Sequence, residues 1–115
     1  MDRTILKSLL DIKLRIDEID GFFINTPKRF DEYISNTMLR CALHMNLSII
    51  GEATNRILKE YPEIHISHAR QIVNTRNYLI HGYDSLRPEM IWAIIINDLP
   101  VLYREVCDLI NEGDS

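Results

Sequence analysis

Between Pro27 and Pro62 the chain carries no proline, and apolar residues recur along that stretch on two helical stripes. Phe30, Ile34, Met38, Cys41, Met45, Ile49, Ala53 and Ile57 make the first; Leu39, Leu43, Leu47, Ile50, Thr54, Leu58 and Tyr61 make the second. Steps of three and four residues keep each set on one side of a helix. A helix that is apolar on two sides needs neighbours on two sides, so this chain is expected to be all-α, a bundle built around one long central helix from about 27 to 60. Two occupants stay open for the second stripe: the chain's own helices, or in part a second copy of the chain.

The flanking segments supply the neighbours. Ile5, Leu9, Ile12, Ile16, Ile19 and Phe23 form a single seam over residues 2–22, with Lys7, Asp11, Lys13, Arg15, Asp17 and Glu18 on the solvated face. Asn25-Thr26-Pro27 should end that helix, Thr26 capping the next with Pro27 in its first turn. Tyr61-Pro62 stops the central helix. A further helix is expected from Ser67, a candidate N-cap, to His81, burying Ala69, Ile72, Val73, Leu79 and Ile80. Pro88 and Glu89 suit the start of the last segment, whose buried face is Ile91, Ile94, Ile95, Leu102, Val106, Leu109 and Ile110. Pro100 removes a backbone donor there, so a kink or break is expected near residues 98–100.

At 115 residues the chain is expected to be one domain, 1–115, with a single core. Hydrophobic residues at 46% and charged residues at 26% describe a folded globule rather than a disordered chain. No apolar run approaches the roughly 18–20 residues needed to cross a bilayer. The start, Met1-Asp2-Arg3-Thr4, does not read as a signal peptide, and a cytoplasmic location is expected. Cys41 and Cys107 are expected to be reduced core residues. A net charge of −4 argues against a broad basic footprint, so any nucleic-acid contact must be local. Cys41 with His44, and His65 with His68, have a spacing a metal could use, but neither pair has converging further ligands, and no metal or cofactor is expected.

The chemistry concentrates in Arg76-Asn77-Tyr78-Leu79-Ile80-His81-Gly82-Tyr83, expected to form the last turns of a helix and its cap. An arginine offers a planar fork of donors to phosphoryl oxygens, and a histidine carries protons near neutral pH. The bland reading is also physical: a cation in a last turn complements the helix dipole, and Gly82 is an ordinary cap. Arg76 and His81, five apart, lie about 140° apart around an ideal helix, so one helix does not aim both at one atom. A site completed by a second chain, or an unwound helix end, would resolve that offset. Gly51 sits mid-helix at a cost of about 1 kcal/mol relative to alanine, which a close approach by another helix would explain. Glu52 beside it could orient Arg76 or His81, or could simply be half-exposed.

The Arg76-x4-His81-x-Tyr83 pattern, with Asn77 after the arginine, resembles the signature of the HepT-like group of HEPN proteins. Ile49-Ile50-Gly51-Glu52-Ala53 upstream, and Ile91-Trp92 with Asn97-Asp98-Leu99-Pro100 downstream, agree with it. One departure lies between Pro62 and Thr75, where the group has a tryptophan and a glycine, and this chain has Ile66-Ser67-His68 and Val73-Asn74-Thr75. The resemblance implies an antiparallel bundle of four to five helices, HEPN-like, paired as a symmetric homodimer. It also implies a toxin-type, metal-independent endoribonuclease with Arg76, His81 and Asn77 as catalytic residues and Glu52 in a supporting role. The implied partners are RNA and an MNT-type nucleotidyltransferase antitoxin that would transfer AMP to Tyr83. The alternative is a non-catalytic nucleotide-binding or interaction module that partners such an enzyme.

Overall fold

In the computed structural model, which describes residues 2–81 and 87–113, His81 by its backbone alone, every regular element among the described residues is helical. They are α1 (Arg3–Phe22), α2 (Phe30–Ser35), α3 (Thr37–Glu60), α4 (Ala69–His81), α5 (Pro88–Ala93) and α6 (Leu99–Gly113), with a π turn at Ile94–Asp98 between the last two. The central helix α3 packs on α1 and on α4, and α6 packs on α1. All three pairs are antiparallel: Asn46 reaches Glu18 while Arg56 reaches Ser8, Gly51 meets Ile72 and Arg76 while Ile80 lines a groove with Arg40 and Met45, and Lys13 lies over Tyr103 while Asp20 lines a hollow with Leu99. The shortest dimension is 18 Å, about two helix diameters, so no helix is far from the surface.

The seam read from α1 is buried as expected, Ile5, Leu9, Ile12, Ile16 and Ile19 forming part of the core. Asp2 opens the helix by accepting the Thr4 amide at 2.6 Å. Phe23 leaves the helix as its C-cap and meets the Trp92 ring edge-on at 6.1 Å.

The expected 27–60 helix is two helices. Asn36 takes an extended conformation, and its side chain accepts the Leu39 amide at 3.0 Å, capping α3 and separating it from α2. A side chain that satisfies a free helical amide competes with continuing the helix. Thr26 and Pro27 do not start α2: it begins at Phe30, with Asp31 and Glu32 offsetting the positive end of its dipole. Tyr33 of α2 is fully buried and stacks on Trp92 of α5 at 5.6 Å, so this six-residue helix is held by rings rather than length.

One stripe of α3 is buried from Leu39 to Thr54, half-buried at Leu58 and open at Tyr61. Leu39, Leu43, Leu47, Ile50 and Thr54 are core residues; the other stripe is covered at Ala53 and Ile57 but open at Ile34, Met38, Cys41 and Met45. Cys41 is therefore an exposed thiol and not a core residue. The reason is length. The 13 residues of α4 span about 20 Å against about 36 Å for the 24 of α3, so α4 covers part of it.

Helix α4 starts at Ala69, two residues after the expected cap. The Ser67 amide and hydroxyl both bond the Glu105 carboxylate of α6, at 3.0 and 2.9 Å, and His68 turns the chain with a positive φ of 59°. Ser67 thus ties the loop to α6 instead of capping α4. Ala69, Ile72, Val73 and Leu79 are buried as expected, whereas Ile80 stays 41% exposed. At the last helices the expected break takes the form of a π turn: the Leu99 amide bonds Ile94, five residues back, just before Pro100. The wider turn makes room for the proline ring and keeps the segment helical.

Candidate functional site

The motif helix is pressed against α3 at a single glycine. A Cβ built on Gly51 would lie 2.4 Å from the Arg76 Cβ, closer than a real side chain comes, and a tight 3.0 Å from the Ile72 carbonyl oxygen. Gly51 therefore lets α4 approach closely enough to bury the stem of Arg76 against α3, the close approach its mid-helix position suggested. The arginine is half-buried, and its Nε is sealed from solvent without a hydrogen-bond partner among the described residues. Leaving such a donor unmet costs on the order of 1–3 kcal/mol. Its Nη1 donates to Asn77 Oδ1 at 3.1 Å, so the guanidinium is held by its neighbour at the exposed edge of the helix.

Of the residues singled out by sequence, Arg76 and Asn77 are brought together. Glu52 is not brought to them. Its carboxylate pairs with Arg56 at 3.8 Å, one turn along α3, and Arg56 also reaches Asp11 of α1 at 3.6 Å, which draws Glu52 toward α1. The backbone stays helical through His81, so the offset of about 140° between Arg76 and His81 persists to the end of α4. The His81 side chain, Gly82 and Tyr83 lie outside the described residues, and with them the expected cap and modification site.

Beside the motif helix the structure gathers a second polar group that the sequence suggested only as a metal pair. His44 of α3 sits with Nε2 2.7 Å from the buried Tyr33 hydroxyl, the rings edge to face. Burial pushes the Tyr33 phenol up to about 12, against the pull of the nearby Arg40 charge. Burial, and then Arg40, hold the His44 imidazole below its usual range, so it is neutral at pH 7. Arg40 donates from Nη1 to the Ile34 carbonyl oxygen, across the α2–α3 junction. The i, i+4 spacing of Arg40 and His44 was the available signal, lying between the two apolar stripes.

These features define a class: a small helical bundle with an arginine whose stem is buried at a tight helix crossing, five residues before the histidine that ends the helix. The chain belongs to the HepT-like ribonuclease family, whose profile matches residues 12–109. It is 30% identical over 84 residues to a protein of Caldanaerobacter subterraneus subsp. tengcongensis named as a candidate RNase, covering 72% of this chain and 75% of that one. A second candidate RNase, from Methanocaldococcus jannaschii, is 35% identical over 78 residues, 67% of this chain and 72% of its own. A protein of Thermococcus cleftensis named probable ribonuclease HepT is 27% identical over 103 residues, 89% and 92% of the two chains. No solved structure matches.

Proposed function

We propose that this protein is a metal-independent endoribonuclease of a toxin–antitoxin system, in which Arg76 and His81 from two copies of the chain act on one phosphodiester. The observation that carries the reading is the placement of Arg76, its stem fixed at the Gly51 crossing and its Nη1 held by Asn77 at the exposed edge of the helix. Membership of the HepT-like ribonuclease family supports it.

The chemistry follows from the groups. One His81 imidazole takes the proton of a ribose 2′-hydroxyl, the 2′-oxygen attacks phosphorus, and the bond to the 5′-oxygen breaks. The departing oxygen takes a proton from the His81 of the second copy, leaving a 2′,3′-cyclic phosphate and a 5′-hydroxyl. Arg76 stabilises the charge that grows on the phosphoryl oxygens, and Asn77 orients its guanidinium. A helix wound through His81 cannot aim both groups at one atom, which favours a symmetric dimer. Tyr78 at the motif, and Met38 at 85% exposure on α3, are open apolar side chains that a second copy could cover.

Tyr83, two residues past His81, is the proposed acceptor of AMP from an MNT-type nucleotidyltransferase antitoxin. The adduct would place a phosphate near Arg76 and block the site. The net charge of −4 favours a second reading, a nucleotide-binding module that partners such an enzyme without cutting RNA.

A defined RNA separates the two. Cleavage by purified protein in a chelating buffer, giving cyclic phosphate ends and lost when the scissile ribose is 2′-deoxy, supports the nuclease. Uncut RNA supports the second reading. Mass spectrometry of the Tyr83 peptide after co-expression with the nucleotidyltransferase tests the switch, and an unmodified but fully inhibited complex contradicts it.

A further inference from the structure

A groove of about 700 Å³ runs from the end of α4 along the uncovered half of α3. Leu79, Ile80, Met45 and Ile49 give it apolar walls, and Arg40 and His44 lie along it. Ile80, one turn after Arg76 on the same helix face, joins it to the proposed catalytic site. We infer that this groove binds the single RNA strand flanking the scissile phosphate, Arg40 contacting a neighbouring phosphate and His44 with the apolar walls receiving a base. The inference rests on the nuclease reading for its choice of ligand.

Three observations carry it. Arg40 makes no ion pair with a carboxylate among the described residues, although the chain is acidic overall. Its Nη1 is anchored on the Ile34 carbonyl, which fixes the guanidinium while leaving Nε and Nη2 as donors. That is the preorganised fork that phosphate oxygens match. His44 is likewise fixed, its Nε2 engaged by Tyr33 and its Nδ1 without a partner among the described residues. A flat ring between apolar walls suits base stacking, which tolerates any sequence.

Binding is read apart from cleavage by using the His81→Ala protein and a fluorescein-labelled single-stranded RNA of about twelve nucleotides in an anisotropy titration over a range of salt. Adding Arg40→Gln should weaken binding about ten-fold and lower the salt slope by about one. Arg104→Gln, on α6, should leave both unchanged. Because Arg40→Gln also loosens the α2–α3 junction, a second measurement keeps the groove intact. Saturating RNA should slow alkylation of Cys41, which lines the groove, and leave that of Cys107 unchanged.

Equal affinity and slope for Arg40→Gln, or Cys41 alkylated at the same rate with and without RNA, overturns the groove. So does Cys41 already protected in RNA-free protein and released when Arg40→Gln separates a dimer. If RNA binds and protects Cys41 while the unmodified protein leaves RNA uncut, the groove stands and the nuclease reading fails.

Discussion

Replacing Gly51 by alanine tests whether the motif helix is positioned by one close approach. The new Cβ would stand 2.4 Å from the Arg76 Cβ, about 1 Å short of an ordinary contact, and 3.0 Å from the Ile72 carbonyl oxygen. Neither neighbour is the loose end of a side chain, so α4 must move off α3. Overpacking of this kind costs about 1–3 kcal/mol, and two close contacts put Gly51→Ala at the upper end. Alanine returns about 1 kcal/mol of helix propensity, leaving a net loss of about 1–2 kcal/mol. At this chain length that is a fall of about 4–8 °C in Tm. The internal control is Gly21→Ala on α1, where a Cβ meets nothing within 4 Å and should add about 0.5–1 kcal/mol. Urea melts followed by circular dichroism give both values. An Arg76 displaced by about 1 Å should also lose on the order of 100-fold in cleavage. If Gly51→Ala proved as stable as Gly21→Ala and cut RNA at the normal rate, the crossing would not be what positions the arginine.

Other perturbations reach the rest of the account. Asn36→Ala removes the α3 cap and should cost about 1 kcal/mol, read as a lower urea midpoint with an unchanged slope. Glu105→Ala frees the Ser67 amide and hydroxyl and should cost about 1–2 kcal/mol, with faster amide exchange confined to residues 64–70. The Tyr33 phenol, raised from 10 to about 12 by burial, contributes stability that is whole below pH 10 and lost as pH rises through 12. Two pKa units correspond to about 2–3 kcal/mol, so wild type should lose that much more than Tyr33→Phe across the window. His44, lowered below 6.5 by burial, contributes stability present above that pH and lost on acidification. His44→Gln should flatten the acid limb of the melting curve by the matching amount; parallel curves would refute the assignment.

Periodicity made the core legible. The seams of α1 and α4, and the inner stripe of α3, can be read as steps of three and four because burial selects apolar residues one turn apart. Gly51 was legible for a related reason, since a glycine within a strong helical pattern needs a packing cause. Asn36 was hidden: the apolar pattern runs through it unbroken, and only a side-chain bond to Leu39 shows that the helix has restarted. Ser67 misled in the opposite sense, because a serine before a helix looks like a cap whether it bonds the helix or a carboxylate from 38 residues away. The groove was illegible because a stripe that is apolar by composition can still be uncovered, and its exposure depends on where α4 stops. Tyr33 reaches His44 and Trp92 only through the folded arrangement of α2, α3 and α5.

The central claim is that the Arg76 guanidinium and the His81 imidazole at the end of α4, supplied by two copies of the chain, perform the cleavage. It is tested most directly by incubating a defined RNA with wild type, Arg76→Ala and His81→Ala proteins, each matched for melting temperature and oligomeric state. Cleavage by wild type, and loss of at least about 100-fold in each variant, is the expected result. Undiminished cleavage by both variants would contradict the account.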